Sequence, residues 1–290
     1  SNGLPFKTRV LKGRPFDKDM ADEVKKLLEA RGASKVAIEK ALAKEIVQKE
    51  AKETVIESGK GISEDFLKKA SEDIDNKKYF TLTKSAFKDV DGDYKLIADK
   101  ALSKTKIVDY ADSGVGFNPR SGKIEMGVKI IKDPEWYKAT IRHETFHSFD
   151  FSRELLGEGS IRFNFRSYDK KYPFRAAKIN AMNTLKHDVK TLKEIEKDIK
   201  KLSINDRTIV GDLFDNIFLG EVKVSRGGHG AEYYLKSPYR GIDTSEAMAN
   251  LYTLSVGNRK QALSVIKKYI PEVYDGFEKT IEMMAKEAIK

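Results

Sequence analysis

The stretch from Asp133 to Phe151, "DPEWYKATIRHETFHSFDF", limits what this chain can fold into more than any other. It carries the start signals of a helix. Asp133 is of the N-cap type, and Pro134 follows at the first helical position, where its missing N–H costs nothing. Within it lies the pattern H-E-x-x-H. Residues four apart on a helix stand one above the other, so His143 and His147 aim two imidazoles at one point. Glu144 then projects beside that point, within reach of a water molecule held there. This spacing suits hydrolysis assisted by a divalent ion. The ion brings the pKa of a water down to about 7, and a carboxylate takes its proton and later delivers it to the leaving amine. A fold that uses the spacing must bury this helix against an element supplying a further ligand.

Composition narrows the ligands. The 290 residues include 4 histidines and no cysteine. Disulfides, thiolate zinc sites and a cysteine nucleophile are therefore excluded, and nitrogen and oxygen must hold any metal. With 40% hydrophobic residues the chain can bury a core, and with 34% charged residues its surface must be densely ionic. No apolar run approaches the roughly 18 residues of a membrane span. "SNGLPFKTRVLKGRPF" lacks the apolar region of a signal peptide, so no membrane partner is expected. The net charge of +10 resides in lysine-rich helices such as "KHDVKTLKEIEKDIKK", where acids are interspersed and aromatics are not. That texture fits a solvated helical face better than a nucleic-acid surface.

Along the chain, the first hundred residues read as helices. "DKDMADEVKKLLEARG" runs from a cap at Asp17 to a stop at Gly32, and a second helix runs from Ser34 to Gly59. Another begins at Ser63, and "DVDGDYKLIADKAL" turns at Gly92 into a fourth. Asp89, Asp91 and Asp93 alternate as in a calcium loop. The sixth and twelfth positions are Tyr94 and Lys100 where such a loop needs glycine and glutamate, so an ordinary turn is expected. From about residue 105 two short β-like runs surround Gly- and Pro-rich turns. "GKIEMGVKI" places Ile124, Met126, Val128 and Ile130 on one side of a half-buried strand. If it is the sheet edge nearest the metal, it would hold an extended substrate through main-chain hydrogen bonds. The H-E-x-x-H helix should reach about Leu156, with the alternating segment "SIRFNFRSY" beyond it. A long helix is expected over Pro173 to Leu202, then a shorter one through "NDRTIVGDLFDNIFLG", a loop rich in glycine and tyrosine, and three closing helices.

Spacing alone does not choose the third ligand. Glu246, at the start of the apolar helix "SEAMANLYTL", is one candidate. His229, between glycines in "RGGHGAEYY", could reach metal or substrate or simply occupy a turn. His187, in a lysine-rich stretch, reads as a solvated surface residue. Asp150, three residues after His147, could orient a ligand imidazole by accepting a hydrogen bond, or form a surface salt bridge. Trp136 and Phe149 read as core.

At this point the residues resemble known families. "IRHETFHSFDF" followed by "GIDTSEAMANLYTLSV" resembles the gluzincin arrangement of anthrax lethal factor-like and Pro-Pro endopeptidase-like metallopeptidases. The resemblance implies Zn²⁺ bound by His143, His147 and Glu246, with Glu144 as general base and acid. It also implies that Tyr239, seven residues before Glu246, donates to the oxyanion, with Tyr233 and Tyr234 in reserve. The stretch from "GDLFDNIFLG" through "RGGHGAEYYLKSPYRGIDTSEAMANLYTLSVGN" is similar to the C-terminal region of phage minor head (head-morphogenesis) proteins. The chain departs from these patterns at Phe146, where glycine is usual, and at Asn250, where lethal factor-like chains have an acid.

The expected fold is α+β and predominantly α. Residues 1–104 form a helical docking or pro-domain, and residues 105–290 a zincin-like domain with a small sheet and the H-E-x-x-H helix. The expected function is a zinc metalloendopeptidase acting on a peptide or protein substrate, secreted if toxin-like. The alternative is a phage or prophage head component with a metallopeptidase-like domain of little or no activity. It would assemble with capsid or portal proteins, in the virion or the cytoplasm.

Overall fold

Apolar stripes at helical spacing turn most of this chain into helices, and a computed structural model describes residues 60–72, 77–110, 114–127, 129–155, 161–218, 233 and 241–289. The two helices expected from Asp17 to Gly32 and from Ser34 to Gly59 lie outside the described residues. The described residues begin with three helices: α1 (Glu64–Ala70), α2 (Lys77–Ala86) and α3 (Gly92–Leu102). Strands β1 (Lys106–Tyr110), β2 (Val115–Asn118) and β3 (Lys123–Gly127) follow, and then α4 (Pro134–Asp150), which carries the H-E-x-x-H. A hairpin of β4 (Phe151–Leu155) and β5 (Ile161–Phe165) leads to α5 (Pro173–Leu185), α6 (Val189–Ile199) and α7 (Ile204–Phe218). The chain closes with α8 (Ile242–Val256), α9 (Lys260–Tyr269) and α10 (Pro271–Ala288). The protein is thus mostly helical with a small sheet, as the sequence implies.

The break expected between residues 104 and 105 is not where the packing divides. Lys60–Lys290 make up one compact unit. Phe87, Ile97 and Leu102 share a single core with Ile124, Phe146, Leu213, Tyr252 and Phe277. Tyr94 of α3 donates its hydroxyl hydrogen to Glu278 of α10 at 2.9 Å.

Two local expectations need correction. The H-E-x-x-H helix stops at Asp150, because Phe151 turns to φ −66°, ψ 134° and the chain pairs antiparallel with β5 over Phe151–Leu155. The hydrogen bonds that a longer helix would have made go to the hairpin ladder instead. The helix expected from Pro173 to Leu202 is two helices. Asp188 starts the second by accepting from the Thr191 N–H at 3.0 Å, a cap that offers the backbone an alternative to continuing. His187 lies exposed in the turn between them.

The sheet also differs from expectation in one respect that bears on function. Its order is β1-β3-β2, with β1 parallel and β2 antiparallel to β3. "GKIEM" is the central strand, its Ile124 and Met126 fully buried, and β2 is an edge beside α4. Val128 lies outside the described residues, and Ile130 falls in a short 3₁₀ turn over Ile130–Lys132.

α8 is buried nearly all round, with every residue from Thr244 to Leu254 buried, as suits a helix packed between α4 and α7. It starts at Gly241, which adopts φ +85°; a Cβ there would overlap the Tyr168 side chain, so only glycine fits. On α7, burial lifts the Asp215 carboxyl to about 7, and the charge of Asp212 adds to the lift. The folded chain therefore holds a proton that the unfolded chain releases near the ordinary carboxylate range. Stability is fully present below that range and is lost as pH rises through about 7. Asp215→Asn should raise Tm by a few degrees at pH 8, and the gain should fade as the pH is lowered toward 4. A gain that stays constant with pH would count against this origin.

Candidate metal centre

The N-cap of α4 forms as the sequence implies: the Asp133 carboxylate accepts from the N–H groups of Glu135 at 3.1 Å and Trp136 at 3.0 Å. This fixes the start of α4, and the helical repeat then sets His143 and His147 on one face. Their ring centroids are 4.7 Å apart, edge to face, with the Nε2 atoms 3.0 Å apart. From α8, 103 positions along the chain, Glu246 brings Oε2 to 3.0 Å from His143 Nε2 and 3.4 Å from His147 Nε2. Among the described residues, these three form the only group of histidines and carboxylates able to hold a metal ion.

The donor geometry fits a small divalent ion. An ion bonded at about 2.0–2.1 Å to nitrogen and oxygen in a tetrahedron sets neighbouring ligand atoms about 3.3 Å apart. The observed edges of 3.0, 3.0 and 3.4 Å lie close to that value. Electrostatics favour added positive charge. Burial would depress the His143 imidazole, yet the hydrogen bond and charge of Glu246, with Glu144 and Asp212 beyond, raise it to about 9. Burial would raise the Glu246 carboxyl, but the two imidazoles hold it well below the usual carboxylate range. A carboxylate only 3% exposed persists as an anion only if cations or donors surround it.

His147 is held from behind. Its Nδ1 lies 2.9 Å from the Ser245 hydroxyl, which in turn bonds Asp150. Asp150 is fully buried and also accepts from the Ser167 N–H at 2.7 Å and the Ser167 hydroxyl at 2.6 Å. Because the Ser245 hydroxyl gives its hydrogen to Asp150, its oxygen accepts from His147 Nδ1–H, which leaves the Nε2 lone pair for a metal ion. Asp150 thus orients the imidazole, but through Ser245. Burial pushes the Asp150 carboxyl up, against these donors. Ser245→Ala should weaken metal affinity by about 10- to 100-fold, read by competition against a chromogenic chelator. Unchanged affinity would show that the serine does not set the ring.

Glu144 stands outside the ligand group. Its Oε2 accepts the N–H of Phe117 on β2 at 2.7 Å, which pins the carboxylate between α4 and the sheet edge. The Phe117 side chain packs edge-on to Phe151, 5.4 Å between centroids. A pocket of about 290 Å³ opens on His143 and Glu144, with Val115, Ile130, Trp136 and Ile209 among its apolar walls. Trp136 therefore borders the site and is only partly buried, whereas Phe149 is core, as expected.

The two positions that depart from the resembled pattern, Phe146 and Asn250, have defined places in the structure. Phe146 points away from the site into the core, 5.3 Å from the Tyr252 ring. Asn250 donates its amide hydrogen to Asp212 of α7 at 2.8 Å, so a carboxylate from another helix lies beside the pocket. Tyr233 donates its hydroxyl hydrogen to Glu246 Oε1 at 3.2 Å, and burial followed by the charge of Glu246 raises its phenol. Tyr239, Tyr234 and His229 lie outside the described residues. Sequence reasoning missed Ser245 and Asp212. Ser245 could have been found from its place beside Glu246 in the first turn of α8, whereas Asp212 carries no local signal. No family model, curated protein or solved structure matches this chain.

Proposed function

We propose that the protein is a zinc-dependent metalloendopeptidase with a zincin-like, gluzincin-type domain. One observation carries the proposal: His143, His147 and Glu246 converge, with Glu144 beside them rather than among them. The two nitrogens and one oxygen suit zinc, whereas magnesium and calcium prefer all-oxygen sites. A bound zinc ion would supply Lewis acidity to a water molecule and to the substrate carbonyl.

The chain's own residues do the rest. Glu144 takes the proton from the water and returns it to the departing amine nitrogen, and its hydrogen bond from Phe117 aims it at the open side of the site. His147, oriented by Ser245 and Asp150, would hold the ion through Nε2 together with His143 and Glu246. Tyr239 is assigned to the developing oxyanion on resemblance alone. Residues alternate along a strand. Val115, two before Phe117, therefore also turns its N–H and C=O away from β3, toward where an extended peptide would lie. The apolar pocket beside Val115 and Trp136 would take one substrate side chain.

The test is direct. Purified protein supplied with one equivalent of zinc should cleave members of a mixed peptide library at internal bonds. A chelator should stop the cleavage and added zinc restore it. A zinc-loaded, folded protein that leaves every peptide intact would refute the proposal.

A further inference from the structure

The face of α4 turned away from the metal centre borders a second cavity, of about 530 Å³, walled by the α2–α3 turn and the α8–α9 turn. Five cationic side chains (Lys60, Lys88, Lys138, Arg142 and Arg259) line it against three carboxylates. Two of the cations on the rim, Lys138 and Arg259, are already engaged. Glu135 is shared between Lys138 and Arg259, each at 2.9 Å, and Lys88 lies 3.8 Å from Asp89. Arg142 is different. It is only 8% exposed, and its Nε–H donates to the Ala86 carbonyl at 2.8 Å. Among the described residues, no carboxylate lies within ion-pair distance of its guanidinium. A guanidinium has five N–H donors, and a charge left without a counter-ion in a protein interior is costly. The wall opposite is shaped to this side chain. Gly257 has an ordinary φ of −77°, yet a Cβ there would stand 2.8 Å from Arg142 Nη1 and 2.9 Å from the Thr253 carbonyl oxygen.

We infer that this cavity is a binding site for a phosphate group, free or carried on a small organic molecule. The guanidinium of Arg142 is the buried anchor, and Lys88 is the exposed cation at the mouth. A planar guanidinium presents paired N–H donors that match two phosphate oxygens, and charge-assisted bonds of this kind are the strong ones. The cavity is several times larger than a phosphate ion, which leaves room for an organic remainder beside Tyr94 and Val256. The site does not depend on the metal reading, since its residues face away from the metal ligands.

Calorimetric titration with inorganic phosphate, and separately with phenyl phosphate, tests the assignment against sodium chloride at matched ionic strength. Saturable binding at one site is expected for either phosphate, and tighter binding of phenyl phosphate would identify an ester as the ligand. Arg142→Gln should weaken binding by about tenfold or more. Lys88→Glu, on an exposed turn where folding is not at stake, should weaken it several-fold. His143→Ala should leave it unchanged. Heats no different from those of sodium chloride, equal affinity in the Lys88→Glu protein, or binding lost with His143→Ala would each overturn the inference.

Discussion

Glu144→Gln should lower peptide hydrolysis by about 10²- to 10⁴-fold, the usual contribution of a positioned general base, while metal content and Tm stay at the parent's values. The structure separates these readouts. Glu144 is outside the group formed by His143, His147 and Glu246, so its charge is not needed to hold the ion. Glutamine has the same shape and keeps an oxygen to accept the Phe117 N–H that Glu144 now accepts at 2.7 Å. What it lacks is basicity. Hydrolysis by the variant at the parent's rate would remove Glu144 from the mechanism. A fall in bound metal would instead mean that the residue is a ligand. Initial rates on one cleaved peptide, with metal content measured on the same sample, distinguish these results.

How much of this was legible in the sequence depended on the range of the interactions. The start of α4 was legible because Asp133 and Pro134 act on the backbone within a few residues of themselves, and the pairing of His143 with His147 followed from helical repeat alone. The end of α4 was not. Phe151 to Leu155 carry no helix breaker, and only pairing with β5 makes them a strand. Lys186 to Asp188 interrupt the α5–α6 run by a cap at Asp188, but the same lysine-rich, apolar-striped pattern continues on both sides of it, so the cap signal was masked by an unbroken helical texture. The edge role passed from β3 to β2 because strand order is set by packing, and Ile124 and Met126 alternate in the same way whether their strand is central or at an edge. The distant candidate ligand Glu246 came from resemblance and from its place at a helix start. Asp212 came from neither, because its link to Asn250 joins two helices that only the core brings together.

The second large effect should come from Glu246→Gln. Its carboxylate supplies the only negative charge within the ligand group and meets both imidazoles, at 3.0 and 3.4 Å. Exchange for an amide removes that charge and leaves His143 without the partner that raises it to about 9, so protons and zinc both lose affinity for the cluster. Parent protein should bind one equivalent of zinc. At a free-zinc concentration a hundredfold above Kd, binding to the native state alone adds about 2.7 kcal/mol, or roughly 5–11 °C in Tm for a folding unit the size of Lys60–Lys290. The variant should show little zinc by elemental analysis and almost no Tm response over the same zinc range. A zinc-induced rise as large in the variant as in the parent would place the stabilising ion elsewhere. It would also undo the assignment of α8 as the element that completes the centre.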